Sequence, residues 1–248
     1  RDFARASMKI GLALSLTASV LTLVTGDRSA AGVARNQPAK FAALEGHWET
    51  GPHARVHVVG WVDAKTETTH GLALPGGMWS WLAYGDTAAP VTGLRDIPRD
   101  ERPPVNFTFQ LFHLMVGVGS LLILLAAWGL WAWRRGKLAD SRLLLWLMTL
   151  AVLGPQIANQ AGWWAAEVGR QPWIVYKLLR TSDALSKVVQ ANQVIASMIM
   201  FMVVYTLLFA VFIFLLNSKI QHGPDDEDLV DPYEKLAGGF KPTEGGAA

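Results

Sequence analysis

Four apolar stretches, each long enough to cross a bilayer, constrain this chain more than any other feature. They run from about Met8 to Val24, Phe107 to Trp133, Leu143 to Ala166 and Val189 to Leu216. A span needs roughly 20 apolar residues, and within hydrocarbon a helix satisfies its own backbone polar groups. The predicted fold class is an all-α membrane protein of about four transmembrane helices, with a long external loop between the first and second. Its layout is helix 1 over 1–25, external loop over 26–106, helix 2 over 107–133 and cytoplasmic connection over 134–142. Helix 3 over 143–168, external connection over 169–188, helix 4 over 189–217 and cytoplasmic tail over 218–248 complete it. The first stretch also has the form of a signal peptide, with Arg1, Arg5 and Lys9 ahead of it and Ser29, Ala30 and Ala31 behind. A true span is the preferred interpretation. The chain begins at Arg1 rather than methionine, so it is read as a processed product or a piece of something longer.

Short-loop basic residues orient the spans. Arg134, Arg135, Lys137 and Arg142 place the connection between spans two and three inside, and with it the N-terminus and the tail from Lys219. Arg170, Lys177, Arg180 and Lys187 in the opposite connection run against this assignment. Charged residues make up 17% of the 248, below the roughly 25% of soluble domains. A net charge of +2 without a basic stripe gives no case for nucleic acid. With no cysteine, disulfides, thiolate metal sites and covalent c-type haem are excluded. Eleven tryptophans accord with membrane interfaces. The acidic tail Asp225–Asp228 reads as solvated.

The external segment holds one short amphipathic helix in "NQPAKFAALEGHWET" (36–50), with Pro38 at a first helical position. Phe41, Leu44 and Trp48 share one face of it. "ARVHVVGWV" (54–62) reads as a strand, and "LPGGMWSW" (74–81) as a turn followed by interfacial aromatics. Lys40 and Glu45, five residues apart, do not stack on a helix and by themselves read as a solvated face.

In the third span Gln156, Asn159, Gln160, Trp163, Glu167 and Arg170 form one polar stripe, and Pro155 kinks the helix where it begins. Such a stripe is costly against lipid, so it faces protein, water or a cofactor. Interhelical hydrogen bonding with an interfacial Glu–Arg pair is the plainer account. In the second span "FQLFHLMVGVG" (109–119) offers His113 and Met115, both residue types that ligate haem iron. They point about 200° apart on a helix, so only one can face a given cofactor. Taken alone, each reads as packing or a helix–helix hydrogen bond rather than as a ligand. Gly117 and Gly119 permit close approach of a ring or another helix. The remaining histidines show no metal spacing, and hydrolase, phosphate-loop and zinc-protease signatures are absent.

Three stretches together resemble subunit I of the cytochrome bd quinol oxidases. "GWWAAEVGRQPW" (162–173) is very similar to the family signature near its haem pair. "AKFAALEGHWET" resembles the start of its quinol-binding loop, and "FHLMVGVG" the helix carrying a haem-ligand methionine. The resemblance covers only the C-terminal half of the usual subunit and its short-loop form. It implies that Met115 is an axial ligand of a low-spin haem b, and that Glu167 ligates or borders a high-spin haem. Trp163 corresponds to a tryptophan between haems, and Arg170 to a partner for haem propionates. Lys40 and Glu45 match a lysine and a glutamate implicated in quinol oxidation. Where the family usually has an arginine two residues before the methionine, this chain has His113, which either changes the haem surroundings or competes as a ligand. Of the two, Met115 is preferred.

The function so implied is that of part of a bacterial or archaeal cytoplasmic-membrane terminal oxidase, oxidising quinol and reducing oxygen to water. Its cofactors are a low-spin haem b, a high-spin haem b and haem d. Partners are an N-terminal half of subunit I bearing the histidine ligands, the bd-oxidase subunit II, quinol and membrane lipid. The alternative is a non-catalytic haem-binding or assembly subunit of a bd-like complex, with a transporter-like bundle a distant third.

Overall fold

A computed structural model describes residues 2–74, 76–186 and 188–222. They divide into two compact units, 1–185 and 186–248. The first unit begins with helix α1 (Asp2–Asn36), then a short helix α2 (Pro38–Glu45) and an antiparallel hairpin β1 (His57–Asp63)–β2 (Thr68–Ala73). Helix α3 (Met78–Tyr84) and the long helix α4 (Val105–Arg134) follow. Then come α5 (Arg142–Leu150), α6 (Gly154–Val168) and a small two-stranded pair, β3 (Trp173–Val175) with β4 (Leu179–Arg180). The second unit contains helix α7 (Ala191–His222), apolar on every side as a span in lipid or protein must be.

All four predicted spans exist as helices of sufficient length and apolarity: Phe3–Asn36, Arg99–Arg134, Arg142–Val168 and Ala191–His222. The first is longer than the predicted 1–25. Nothing between Thr25 and Asn36 stops a helix, and the first break is Pro38, which keeps Gln37 out of the helical region, at φ −141° and ψ 64°. Helix α1 therefore continues to Asn36, and the connection to the second span starts at residue 37. The third span is interrupted, as Pro155 implied. A 3₁₀ turn (Ala151–Leu153) separates α5 from α6, and Pro155 sits in the first turn of α6, where its missing N–H costs nothing. Helix α7 runs on to His222, past the predicted end at 217, and the acidic tail from 223 lies outside the described residues.

Helix α2 ends at Gly46, whose φ of +58° is left-handed and whose position leaves no room for a side chain. A Cβ there would meet Thr69 Oγ1 at 2.6 Å and Val62 Cγ2 at 2.7 Å. Trp48 thus falls beyond the helix, and the three-residue face expected from the sequence splits. Phe41 and Leu44 pack with Ala34, Trp79 and Ala83. Ala39, Ala42, Ala43 and Trp48 pack on the other side with Val62, Leu94 and Phe109. The helix is buried almost all round rather than amphipathic. Trp79 is the second departure. Expected at an interface, it is 1% exposed and stacks on Phe41 with ring centroids 4.1 Å apart. Trp81 alone of that pair is exposed.

The hairpin is fastened to the start of α4. Asn106 Oδ1 accepts from the Val62 N–H at 3.1 Å, and Gln110 donates to the Gly60 carbonyl at 2.8 Å. At its other end Glu67 pairs with Arg102 (2.8 Å), Arg99 (3.1 Å) and Arg95 (3.4 Å). The hydrogen bond from Arg102 holds the Glu67 carboxyl below its usual range. On the opposite side of the unit Leu12, Ala132, Leu138 and Leu144 join α1, α4 and α5 in a third cluster.

Candidate functional site

Helix α2 has two ends with different chemistry, and each meets a different part of the candidate site. Lys40 lies toward α6. Its Nζ donates to the Ala166 carbonyl at 3.1 Å, across 126 residues of sequence. Ala166 is in the last turn of α6, where carbonyls lack helical partners and the macrodipole favours a cation, so this contact is locally favourable. One turn along, Arg170 and Glu167 form a hydrogen-bonded ion pair, both side chains about two-fifths exposed (40% and 41%). Burial lowers the Lys40 ammonium below its usual range, and the Arg170 charge adds to this against the opposing Glu167 carboxylate. Gly169 permits the junction. A Cβ on it would lie 3.0 Å from Thr108 Cγ2 and 3.3 Å from Lys40 Cγ, so α2 and α4 could not close on the end of α6. A shallow cleft runs beside these groups, lined by Gln37, Lys40, Gly169, Arg170, Trp173 and Tyr176.

Glu45 is the last residue of α2 and is 1% exposed. A carboxylate at a helix C-terminus opposes the dipole, and burial adds a desolvation cost. The His57 backbone N–H offsets this by donating to Oε2 at 2.8 Å. His57 Nδ1 stands 3.5 Å from the same oxygen without a hydrogen bond, and His113 Nε2 stands 3.7 Å from Oε1. Lys40 and Glu45 therefore form no solvated face, and they do not pair with one another. One reaches the α6 signature and the other the hairpin.

His113 faces this buried carboxylate. Its Nδ1 lies 2.8 Å from the Phe109 carbonyl and its Nε2 2.8 Å from the His57 carbonyl. A neutral imidazole has one N–H and can serve only one of these acceptors. Phe109 stacks on it at 3.8 Å between centroids. Neither ring nitrogen is open to another ligand in this arrangement. Met115, on the other side of α4 as the helical period requires, packs on α6. A Cβ on Gly162 would come within 2.5 Å of Met115 Sδ, so a glycine is what lets the thioether lie there.

The polar stripe of α6 points away from the rest of the unit. Gln156, Asn159 and Gln160 are exposed, and so is Trp163 at 57%. For a helix in hydrocarbon that exposure is costly unless something outside these residues covers it. No group of three or more His, Cys, Asp or Glu side chains forms a metal site among the described residues. The donors on hand are one half-buried thioether, Met115, and one half-exposed carboxylate, Glu167, and both are residue types able to ligate iron. Gly117 and Gly119 leave open space where a Cβ would stand. Residues that sequence reasoning passed over are His57, which joins Glu45 to His113, and Gly169, which closes the junction.

The chain as a whole is similar to known proteins. The family model described as cytochrome bd terminal oxidase subunit I matches residues 1–224. A cytochrome bd ubiquinol oxidase subunit 1 of Bacillus subtilis (strain 168) is 34% identical over 240 residues, covering 92% of this chain and 51% of the relative. The cytochrome bd-II ubiquinol oxidase subunit 1 of Escherichia coli (strain K12) is 29% identical over 302 residues, covering 95% of this chain and 58% of the relative. Among solved structures, the bd oxidase from Geobacillus thermodenitrificans aligns with a TM-score of 0.68 at 33% identity. That alignment covers 89% of this chain and 49% of that one. The chain thus spans about half the length of the curated relatives it matches. With four apolar helices, an α6 signature joined to α2 and a family match over nearly its whole length, this multi-pass membrane chain belongs to the cytochrome bd terminal oxidase subunit I family.

Proposed function

We propose that this chain supplies the quinol-binding segment and part of the haem ligation of a bd-type terminal oxidase, which oxidises quinol and reduces oxygen to water. The observation that carries this reading is the approach of Lys40 to the last turn of α6, which brings residues 126 apart in sequence to one place. A lysine whose ammonium is lowered by burial, next to a Glu–Arg pair and a cleft, can bind and orient a quinol oxygen. Glu45, buried and held from the hairpin side, can take a proton from a quinol hydroxyl.

Met115 would hold a low-spin haem b, and Glu167 would hold or border a high-spin haem, with haem d in the pair that would reduce oxygen. When bound, these groups carry electrons from quinol to oxygen. Arg170 can pair with propionates, and Trp163 offers an exposed aromatic face between the two ends of the stripe. The remaining axial ligands come from an N-terminal half of subunit I, and subunit II completes the assembly. The exposed polar stripe on α6 supports such a covering partner. In this reading the segment from about residue 37 to the start of α4 faces outside, and the basic connection from Arg134 to Arg142 faces the cytoplasm.

Replacing Lys40 by alanine tests the assignment. In the purified complex, quinol-driven oxygen uptake should fall about tenfold, a change of roughly 1.4 kcal/mol in the barrier. Haem content, and oxygen uptake driven by reduced tetramethyl-p-phenylenediamine, should stay near the parent. If quinol-driven and dye-driven rates fall together, Lys40 acts as a cap on α6 rather than in quinol oxidation.

A further inference from the structure

The buried Glu45 needs a route for protons, and the hairpin provides one. His57 opens β1, and its side chain is 15% exposed. One edge of the ring faces Glu45, with Nδ1 3.5 Å from Oε2. That nitrogen is buried and makes no hydrogen bond, a costly state for a polar atom unless something occupies it in turn. On its other side the same residue lines an open cleft of ≈ 470 Å³ on the external segment, together with His47, His53, Arg55, Glu67 and Arg95.

We propose that His57 is the proton acceptor for Glu45, carrying protons given up by quinol from the buried carboxylate to the external cleft. This deepens the quinol reading above and rests on it. Oxidation of a quinol to a quinone releases two electrons and two protons, and the electrons go to the haem acceptors of the complex. Each proton leaves the site in three transfers. The quinol O–H breaks as an O–H forms on Glu45, and that bond breaks as an N–H forms on Nδ1 of a neutral His57 ring. The ring then loses its Nε2 proton to water in the cleft, and an exchange of tautomers restores it. Carboxylate and imidazole thus alternate as acceptors, and neither holds a net proton at the end.

The groups facing His57 favour this direction. His113, from α4, sets its ring against the His57 carbonyl and the Glu45 carboxylate. Phe109 stands edge-on to the ring at 6.1 Å between centroids. His47 also lines the cleft, and burial lowers its imidazole below the usual range, which disfavours a competing charge there. The structural duties of residue 57 belong to its backbone, since its N–H holds Glu45 and its carbonyl receives His113. Changing the side chain therefore tests the ring and leaves those bonds in place.

The experiment compares the parent complex with His57→Gln, His57→Ala and Glu45→Gln. Turnover is driven by a short-chain ubiquinol or menaquinol, and separately by reduced tetramethyl-p-phenylenediamine, which gives up electrons without protons. Both His57 variants should lose roughly tenfold or more of quinol turnover, within the range of a lost acid–base group. Their dye-driven rates should be unchanged, and added imidazole should restore His57→Ala. Parental quinol turnover, an equal loss with the dye, or a failure of imidazole to rescue would each overturn the role of His57. If Glu45→Gln is impaired while His57→Gln is not, only this inference falls. If Glu45→Gln also turns over normally, the quinol site itself is misassigned.

Discussion

Glu167→Ala in the assembled complex is expected to remove nearly all oxygen consumption, by about a hundredfold or more, and to change the high-spin haem absorption. Magnitudes separate this outcome from simple damage to the fold. Within the chain the Glu167 carboxylate bonds to Arg170, and both are about two-fifths exposed. A pair so exposed contributes at most about 1 kcal/mol of stability. The packing of α6 rests on other residues, Ala161 and Ala165 being buried and Gly162 seating Met115. A helix that keeps those contacts keeps its place, so a hundredfold loss has to come from what the carboxylate does in the complex. Glu167→Gln refines the test, because it keeps the shape and removes the charge. A complex of either variant with parental spectrum and parental oxygen uptake would take Glu167 out of the oxygen site.

What the sequence disclosed about this region depended on which forces decide each feature. The spans were legible because a run of apolar side chains has few alternatives to a membrane helix, and Pro155 announced its own break. The start of α2 was legible for a similar reason, since Pro38 fits a first helical turn, whereas its end at Gly46 falls before the Trp48 that the sequence reading had placed on the same helix. The surroundings of α2 were not. Lys40 and Glu45 sit at positions that a lone helix would offer to water, and only the hairpin, α4 and the end of α6 turn them inward. Those contacts link residues 126 apart in the first case and 12 apart in the second, beyond the reach of any local periodicity. His57 was passed over because histidines were sought at metal spacings, whereas its partner is a carboxylate across a turn. A usable signal did exist. Glu45 ends a helix immediately before glycine, where its charge is disfavoured by the dipole, and such a residue needs a nearby donor.

The same limit applied to the aromatics. Trp79 and Trp81 lie two apart and read alike, yet one stacks against Phe41 in the core and the other is exposed. Membrane interfaces and protein cores draw on the same large rings, so composition alone does not divide them.

Met115→Leu should abolish the low-spin haem signal in the reduced-minus-oxidised spectrum while leaving the complex assembled. Leucine and methionine differ little in volume, and such swaps in packed sites usually cost under about 1.5 kcal/mol, so the α4–α6 contact survives. What is lost is the sulfur, the only atom in that side chain able to ligate iron. His113 is no ready substitute. It lies about 200° around the helix, and both of its nitrogens already face carbonyl oxygens at 2.8 Å. The expected result is therefore loss of the signal rather than a change to histidine ligation. Gly162→Ala supplies an independent arm, because a Cβ at 2.5 Å from the sulfur forces the thioether to move without removing it. A shifted low-spin band in Gly162→Ala, together with its disappearance in Met115→Leu, would fix the ligand at Met115. A parental band in Met115→Leu would move the ligand to another residue, and the spacing of α4 against α6 would then have only a packing explanation.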